Sequence, residues 1–333
     1  MDTALGTLIV ALDPAVQPFA AEAIDRWSLQ PGARPPSAIA VLKDVRRKSA
    51  VFRLADAAPN GTAVVAKRCR AEGARVEHLV YTDILDRTSA SHPRLFGWSA
   101  ESDAHTWLFI EDVGDERWLS AQREHRRLAA RWFGTVHRAA AAFAGSLGLP
   151  ARGAAYYRAL LRDARGAMEA ALANAALTAD AARVVRTLAE SLDTLDTGWP
   201  TVEDVLATVP STVTFPGFCE KNARVRPGRL GLELLPYDFE NTGWGPPVVE
   251  MQQVDMAQYV RSVGPPWDVS HADSMRLAAL GGALGAVKSL PGERPALTSQ
   301  WPQRAIYKLP GYSSQVRLGI DALQALRGER RHE

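Results

Sequence analysis

The sequence predicts an α+β protein, strand-rich through its first 110 residues and helix-rich beyond them. Two patterns carry this prediction. Short β-patterned runs bounded by turn signals crowd the N-terminal third, and Ala-rich segments with apolar residues at helical spacing fill the rest. With 333 residues, 47% of them hydrophobic, and a net charge of +2, the chain is long and apolar enough for two lobes or two small domains, and disorder is excluded.

Taken in order, residues 31–36 form a turn-rich linker between an N-terminal segment and β patterns at 38–42, 49–54 and 62–66. Pro59-Asn60-Gly61 joins the last two as a hairpin. Over 72–86, Val76, Leu79, Val80, Asp83 and Ile84 fall close to helical spacing. Trp107-Leu108-Phe109-Ile110 is a compact apolar strand that ends at Glu111-Asp112-Val113-Gly114. Between 125 and 143, Leu128, Ala129, Trp132, Phe133 and Val136 predict a buried amphipathic helix. Further helices are predicted at 156–172, 179–195, 274–287 and 313–326, and a Leu-rich strand at 230–235. Leu232 to Leu235 and Val248-Val249 are core candidates, and no internal repeat or low-complexity tract interrupts the pattern.

Composition narrows the partners. A pI of about 8.6 without an aromatic-studded basic tract argues against nucleic acid. The first twenty residues carry Asp2 and Asp13 and no apolar run long enough for a signal or a membrane span, so a cytoplasmic protein is expected. Cys69 and Cys219 lie in no zinc or disulfide spacing and are expected to be buried small hydrophobes.

The chemistry-bearing residues fall in an ordered series. Ala63-Val64-Val65-Ala66 leads into Lys67, and ten residues later Glu77 sits on the predicted helix, placed to pair with it. Downstream, Phe215-Pro216-Gly217-Phe218-Cys219-Glu220-Lys221-Asn222 is followed by Asp238-Phe239-Glu240, sixteen residues past Asn222. In order and spacing these pieces, within residues 40–260, resemble the aminoglycoside phosphotransferase-like kinase family. The resemblance implies a two-lobed, protein-kinase-like fold with a β-rich N-lobe at 1–110, a hinge at 111–114 and a helical C-lobe at 115–333 carrying a helical insertion at about 150–210.

Roles follow from the resemblance. It implies ATP and Mg2+ as cofactors, with Lys67 on the nucleotide phosphates and Glu77 orienting it. The backbone of Ile110, Glu111, Asp112 and Val113 would face adenine. Asn222 and Asp238 would hold magnesium, a hard cation satisfied by two oxygen ligands when phosphates and water supply the rest. Glu240 is either an outer carboxylate near a second metal or a structural acid. The short turn from Asn241 to Pro247 replaces the long activation segment of protein kinases and favours the small-molecule branch. The stretch from Glu124 to His137 resembles the long helix of the C-lobe. His125 and His137 on it are expected as packing or solvent residues, and Trp107 and Trp118 as packing residues.

Two positions depart from the family pattern. Five residues before Asn222, where the family carries its catalytic Asp, stands Gly217, which can neither orient a hydroxyl nor take its proton. Glu220 is the nearest carboxylate in sequence, and Lys221 is placed to contact a transferring phosphoryl group. The segment at the phosphate-loop position, residues 45–52, has no glycine and is basic instead, and across residues 43–75 nine Lys or Arg stand against three acids. Arg47 and Lys48 are therefore candidates to grip phosphate with side-chain charge, beside the readings of a solvated face or a docking surface for an acidic partner.

Three functions fit these residues: an ATP-dependent phosphotransferase acting on a hydroxyl of a small molecule or of a peptide Ser/Thr, a pseudokinase-type subunit that binds nucleotide or a partner enzyme, or a helical binding protein without a nucleotide site. The mixed charge of 150–210 does not demand a polycationic substrate.

Overall fold

The structure, a computed structural model, describes residues 18–45, 49–143, 147–229, 231–265, 267 and 270–329. The chain opens with α1 (Pro18–Ser28), β1 (Ile39–Val45), β2 (Ser49–Leu54), β3 (Val64–Arg70) and α2 (Ala71–Leu79). Next come β4 (Leu95–Ala100), β5 (His105–Glu111), α3 (Arg123–Ala140), α4 (Ala154–Leu172), α5 (Ala179–Thr197) and α6 (Trp199–Thr208). Four strands follow: β6 (Thr212–Thr214), β7 (Ala223–Gly228), β8 (Gly231–Pro236) and β9 (Gly243–Gly245). The last helices are α7 (Val248–Met251), α8 (Met256–Val263), α9 (His271–Ser289), α10 (Arg294–Leu297), α11 (Gln303–Ile306) and α12 (Leu309–Glu329).

One compact unit holds the described residues up to Leu119 together with Gly217–Thr242. Its sheet is antiparallel, in the order β1-β2-β3-β5-β4. Alternation along β2 turns Ala50, Phe52 and Leu54 inward, where Trp27 of α1 packs on Phe109 of β5 at 5.4 Å between ring centroids. The turn before β3 closes through Gly61, whose φ of 79° suits glycine, with its N–H donating to Ala58 O at 2.9 Å. Sequence pattern places the end of β3 near Lys67, yet the strand runs on to Arg70. Its ladder with β5 continues through Arg68–Trp107, Cys69–Thr106 and Arg70–His105, so pairing overrides the polar composition. Lys67 is thus an interior strand residue.

α2 continues from Leu79 into a widened, π-type turn at Val80–Ile84 that buries Val80, Tyr81 and Ile84. β7 and β8 form a separate hairpin in the same unit, running from Ala223–Pro236 at its open end to Gly228–Gly231 at its turn. Asn222 immediately precedes β7 and Tyr237 follows β8, so the hairpin delivers Asn222 and Asp238 to one end.

The second unit comprises the described residues of Ser120–Pro216 and Gly243–Glu333. Its expected helices are present, with ends shifted by a few residues. α3 buries Leu128, Ala129, Trp132, Phe133 and Val136 as its spacing predicts, and both His125 and His137 are buried with them. Thr178, Asp255 and Ser270 cap α5, α8 and α9 with side-chain oxygens. α9 and α12 pack so closely that a Cβ at Gly319 would come within 2.4 Å of Ala283 Cβ. Among the described residues, no helix is long and apolar enough to cross a membrane.

Candidate active site

Lys67 projects from the middle of β3 and is 9% exposed. Its Nζ lies 2.6 Å from Glu77 Oε2 on α2 and 2.5 Å from Asp238 Oδ1 after β8. One ammonium therefore joins a strand, a helix and the end of a hairpin. Burial alone would lower the Lys67 pKa, but Glu77 and Asp238 outweigh it and hold the group well above its usual value. Burial raises Glu77, with Lys67 only partly offsetting it. For Asp238 the balance reverses: burial would raise it, but Lys67 beside it, aided by Lys43 and Lys221, keeps it below the usual carboxylate range. Asp238 keeps 29% exposure at its side chain, while Glu77 has none.

Asp238 itself has φ of 66°, left-handed backbone that a non-glycine residue adopts at a cost. Neighbouring contacts hold it there. Tyr237 N–H donates to Asn222 O at 3.0 Å, and Thr242 N–H donates to Phe239 O at 2.9 Å. Phe239, 4% exposed, meets Tyr81 edge-on at 5.3 Å. Asn222 donates its Nδ2 to Gly217 O at 3.0 Å, leaving Oδ1 as the side-chain acceptor. Among the described residues no cluster of three or more His, Cys, Asp or Glu is placed to hold a metal, so a cation here would need oxygen donors beyond the protein's own carboxylates.

The remaining expected residues separate. Gly217 does not have positive φ, and a Cβ built on it would meet Asn241 Cβ and Nδ2 at 3.7 Å and Asp238 O at 3.8 Å, ordinary contacts. Neither backbone nor space requires glycine there. Glu220, Lys221 and Asn222 form a single 3₁₀ turn, with Lys221 exposed and its carbonyl accepting from Tyr237 Oη at 2.6 Å. Glu240 is exposed and lies over α2, where a Cβ at Gly73 would stand 3.1 Å from its own Cβ.

At 110–113, Ile110 is buried in β5. Glu111 N–H donates to Arg94 O at 2.8 Å, and its carboxylate pairs with Arg226. Asp112 N–H donates to Ala63 O at 3.2 Å, and its carboxylate pairs with Arg53 at 2.5 Å. Both side chains thus serve packing of the unit. Arg47 and Lys48 lie outside the described residues. Cys69 is buried, and burial pushes its thiol up to about 12, whereas Cys219 is only half-buried, since the turn at Glu220–Asn222 leaves it near the surface.

In the second unit the sequence reading missed Glu250. This acid is 1% exposed on α7, and its Oε1 accepts from Thr214 Oγ1 at 2.7 Å and from Phe215 N–H, just before the Pro216-Gly217 step. Its Oε2 is buried without a hydrogen-bond partner among the described residues, and burial lifts its pKa to about 7. The signal was available: a single acid inside the apolar run Val248-Val249-Glu250-Met251. His137 lies in the same core, its Nδ1 2.8 Å from Tyr259 Oη and its ring parallel to Phe215, and burial lowers its pKa to about 3.

No family model matches the chain, and no curated protein matches it. Solved structures match it over nearly its whole length. An aminoglycoside phosphotransferase from Alicyclobacillus acidocaldarius subsp. acidocaldarius is 14% identical, with 94% of this chain and 96% of that one covered at a TM-score of 0.56. A microcompartment-associated aminopropanol kinase is 10% identical, with 90% and 94% covered at a TM-score of 0.59. A spectinomycin phosphotransferase in complex with ADP and spectinomycin is 6% identical, with 91% and 98% covered at a TM-score of 0.60. The chain has the two-lobed α+β fold of aminoglycoside phosphotransferase-like kinases.

Proposed function

We propose that the chain is an ATP-dependent phosphotransferase acting on a hydroxyl of a small molecule, with an unconventional catalytic loop. The observation that carries the reading is the buried Glu77–Lys67–Asp238 series, with ion-pair distances of 2.6 and 2.5 Å. A buried ammonium locked by one wholly buried carboxylate, with its second carboxylate partly exposed, suits a group that holds phosphate without losing its own position. Structural neighbours include small-molecule kinases, one of them bound to ADP.

In this reading Lys67 holds the nucleotide phosphates, Glu77 orients Lys67, and the backbone at 110–113 borders adenine. Asn222 Oδ1 and Asp238 suit Mg2+, because Nδ2 of the same amide is already committed to Gly217 O. When bound, the metal would neutralise charge on the phosphates. Lys221, exposed in the turn beside Asn222, is placed to meet a phosphoryl group, and Glu240 acts as a structural acid over α2.

The absence of a carboxylate at Gly217 favours a second reading, a nucleotide-binding pseudokinase that works through a partner enzyme or peptide. Phosphoryl transfer depends chiefly on positioning and charge, so loss of the base lowers turnover by about 10²–10⁴-fold without abolishing it. Incubation with γ-labelled ATP, Mg2+ and a panel of small hydroxyl compounds tests the first reading. Transfer above a Lys67→Ala control supports it; binding of ATP with no transfer to any acceptor, water included, transfers the case to the second.

A further inference from the structure

We infer that Lys43 holds a second phosphate of the nucleotide that Lys67 holds, so that side-chain charge from two strands grips the phosphate chain. The inference rests on the phosphotransferase reading and adds a binding residue to it. It starts from the register of the sheet. Between Val41 and Lys43 the ladder of β1 with β2 shifts by one residue: Val41 lies opposite Phe52, Lys43 lies opposite Val51, and Leu42 is left over. Opposite residues of an antiparallel pair share a face, and a one-residue bulge reverses the face that the following side chains take. Without the bulge Lys43 would stand opposite Ala50, which turns into the core with Phe52 and Leu54. With it, Lys43 joins the face of Val51, and Val51 in turn lies opposite Lys67 of β3. Lys43, Val51 and Lys67 therefore form one row across three strands. Leu108 of β5 continues that row beyond Lys67 and packs there with Cys69 and with Ala74 of α2.

Two strand spacings, roughly 10 Å, separate the backbones of the two lysines. Their states differ. Lys67 is buried and paired with Glu77 and Asp238, whereas Lys43 is exposed and, among the described residues, its side chain has no hydrogen bond or ion pair. Its charge nonetheless reaches the site: after burial and Lys67 itself, Lys43 is the next group to act on the Asp238 carboxylate, ahead of Lys221. Ammonium groups from β1, β3 and the turn before β7 thus converge on one acid. An ammonium held near a carboxylate without pairing to it keeps its capacity for an anion, and a compact point charge suits a phosphate oxygen. Residues 45–52 offer no glycine whose backbone could close over that phosphate, so the grip falls to a side chain.

The experiment is calorimetric titration of the full chain with ATP and with adenosine, for the wild type, Lys43→Gln, Lys43→Arg and Arg70→Gln. Arg70 is exposed three positions along β3 from Lys67, on the other face, and controls for loss of one positive charge. Lys43→Gln is expected to bind ATP ~10- to 100-fold more weakly, the effect of losing one charge-assisted hydrogen bond. Adenosine, which carries no phosphate, is expected to change by less than about twofold. Lys43→Arg keeps the charge and is expected to retain most of the ATP affinity, and unfolding midpoints equal to the wild type show that the variants are folded. The assignment is overturned if Lys43→Gln binds ATP like the wild type, loses no more than Arg70→Gln, or loses adenosine as strongly as ATP. A wild type that binds no ATP removes the phosphotransferase reading and this inference with it.

Discussion

Lys67 Nζ and Asp238 Oδ1 lie 2.5 Å apart although 171 positions separate them in sequence. The contact couples the interior of β3 to the residue that follows β8, and Glu77 completes the series from α2 at 2.6 Å. Because Glu77 is fully buried, its charge depends on Lys67.

Removing the ammonium therefore leaves a buried carboxylate without its counter-charge. Lys67→Ala is expected to cost about 3–5 kcal/mol of stability, and Lys67→Ala with Glu77→Gln about half of that or less, because the double change removes the stranded charge. Urea unfolding of both variants checks the difference; equal losses would show that Glu77 is not held by Lys67.

Gly217→Asp is expected to fold as well as the wild type, since its Cβ meets nothing closer than 3.7 Å and the backbone there is not left-handed. If only the base is missing, phosphoryl transfer rises by about 10²–10⁴-fold. Initial rates with labelled ATP measure this, and an unchanged rate in a variant that still binds ATP would place the defect elsewhere.

Phe239→Ala is expected to destabilise by about 3–5 kcal/mol, because the ring is buried and packs edge-on against Tyr81 at 5.3 Å. It also releases Asp238 from its left-handed turn, so ATP affinity should fall further than in Tyr81→Phe, which keeps the ring contact. Calorimetric titration with ATP compares the two.

Glu250 gives a pH dependence of definite sign. Its folded pKa of about 7 lies above the ordinary carboxylate value of 4.5, so between those pH values the folded chain binds more protons than the unfolded one. Stability from this group is accordingly present below about pH 4.5 and lost as pH rises through 7, by up to about 3 kcal/mol. Glu250→Gln keeps an acceptor for Thr214 and Phe215 without the charge. The wild-type minus variant difference in unfolding free energy is expected to decline across that window, and a flat difference would contradict the burial argument.

Much of this was legible in the sequence, for local reasons. The β-branched run into Lys67, the helix carrying Glu77 and the spacing of Asn222 to Asp238 each sit within a short stretch where periodicity and motif agree. What was not legible depends on pairing over distance. β4 is an edge strand whose residues are mostly half-exposed, its short apolar run Leu95-Phe96 to Trp98 broken by Gly97, and β7 reads as Arg-Val-Arg-Pro until β8 lies beside it. The extension of β3 past Lys67 comes from its ladder with β5. Glu250 was passed over because a buried acid looks like a surface acid until its partners, 35 and 36 positions earlier, are known.

The nucleotide site proposed at Lys67, Asn222 and Asp238 is to be tested in a chain that has Gly217, not a carboxylate, five positions before Asn222. Thermal unfolding of the wild type, Lys67→Ala and Asp238→Asn with and without ATP and Mg2+ tests it most directly. The wild type is expected to gain about 2.7 kcal/mol of stability at a ligand concentration ~100 times Kd, with that gain lost in Lys67→Ala and no longer magnesium-dependent in Asp238→Asn. Absence of any nucleotide-dependent shift in the wild type would contradict it.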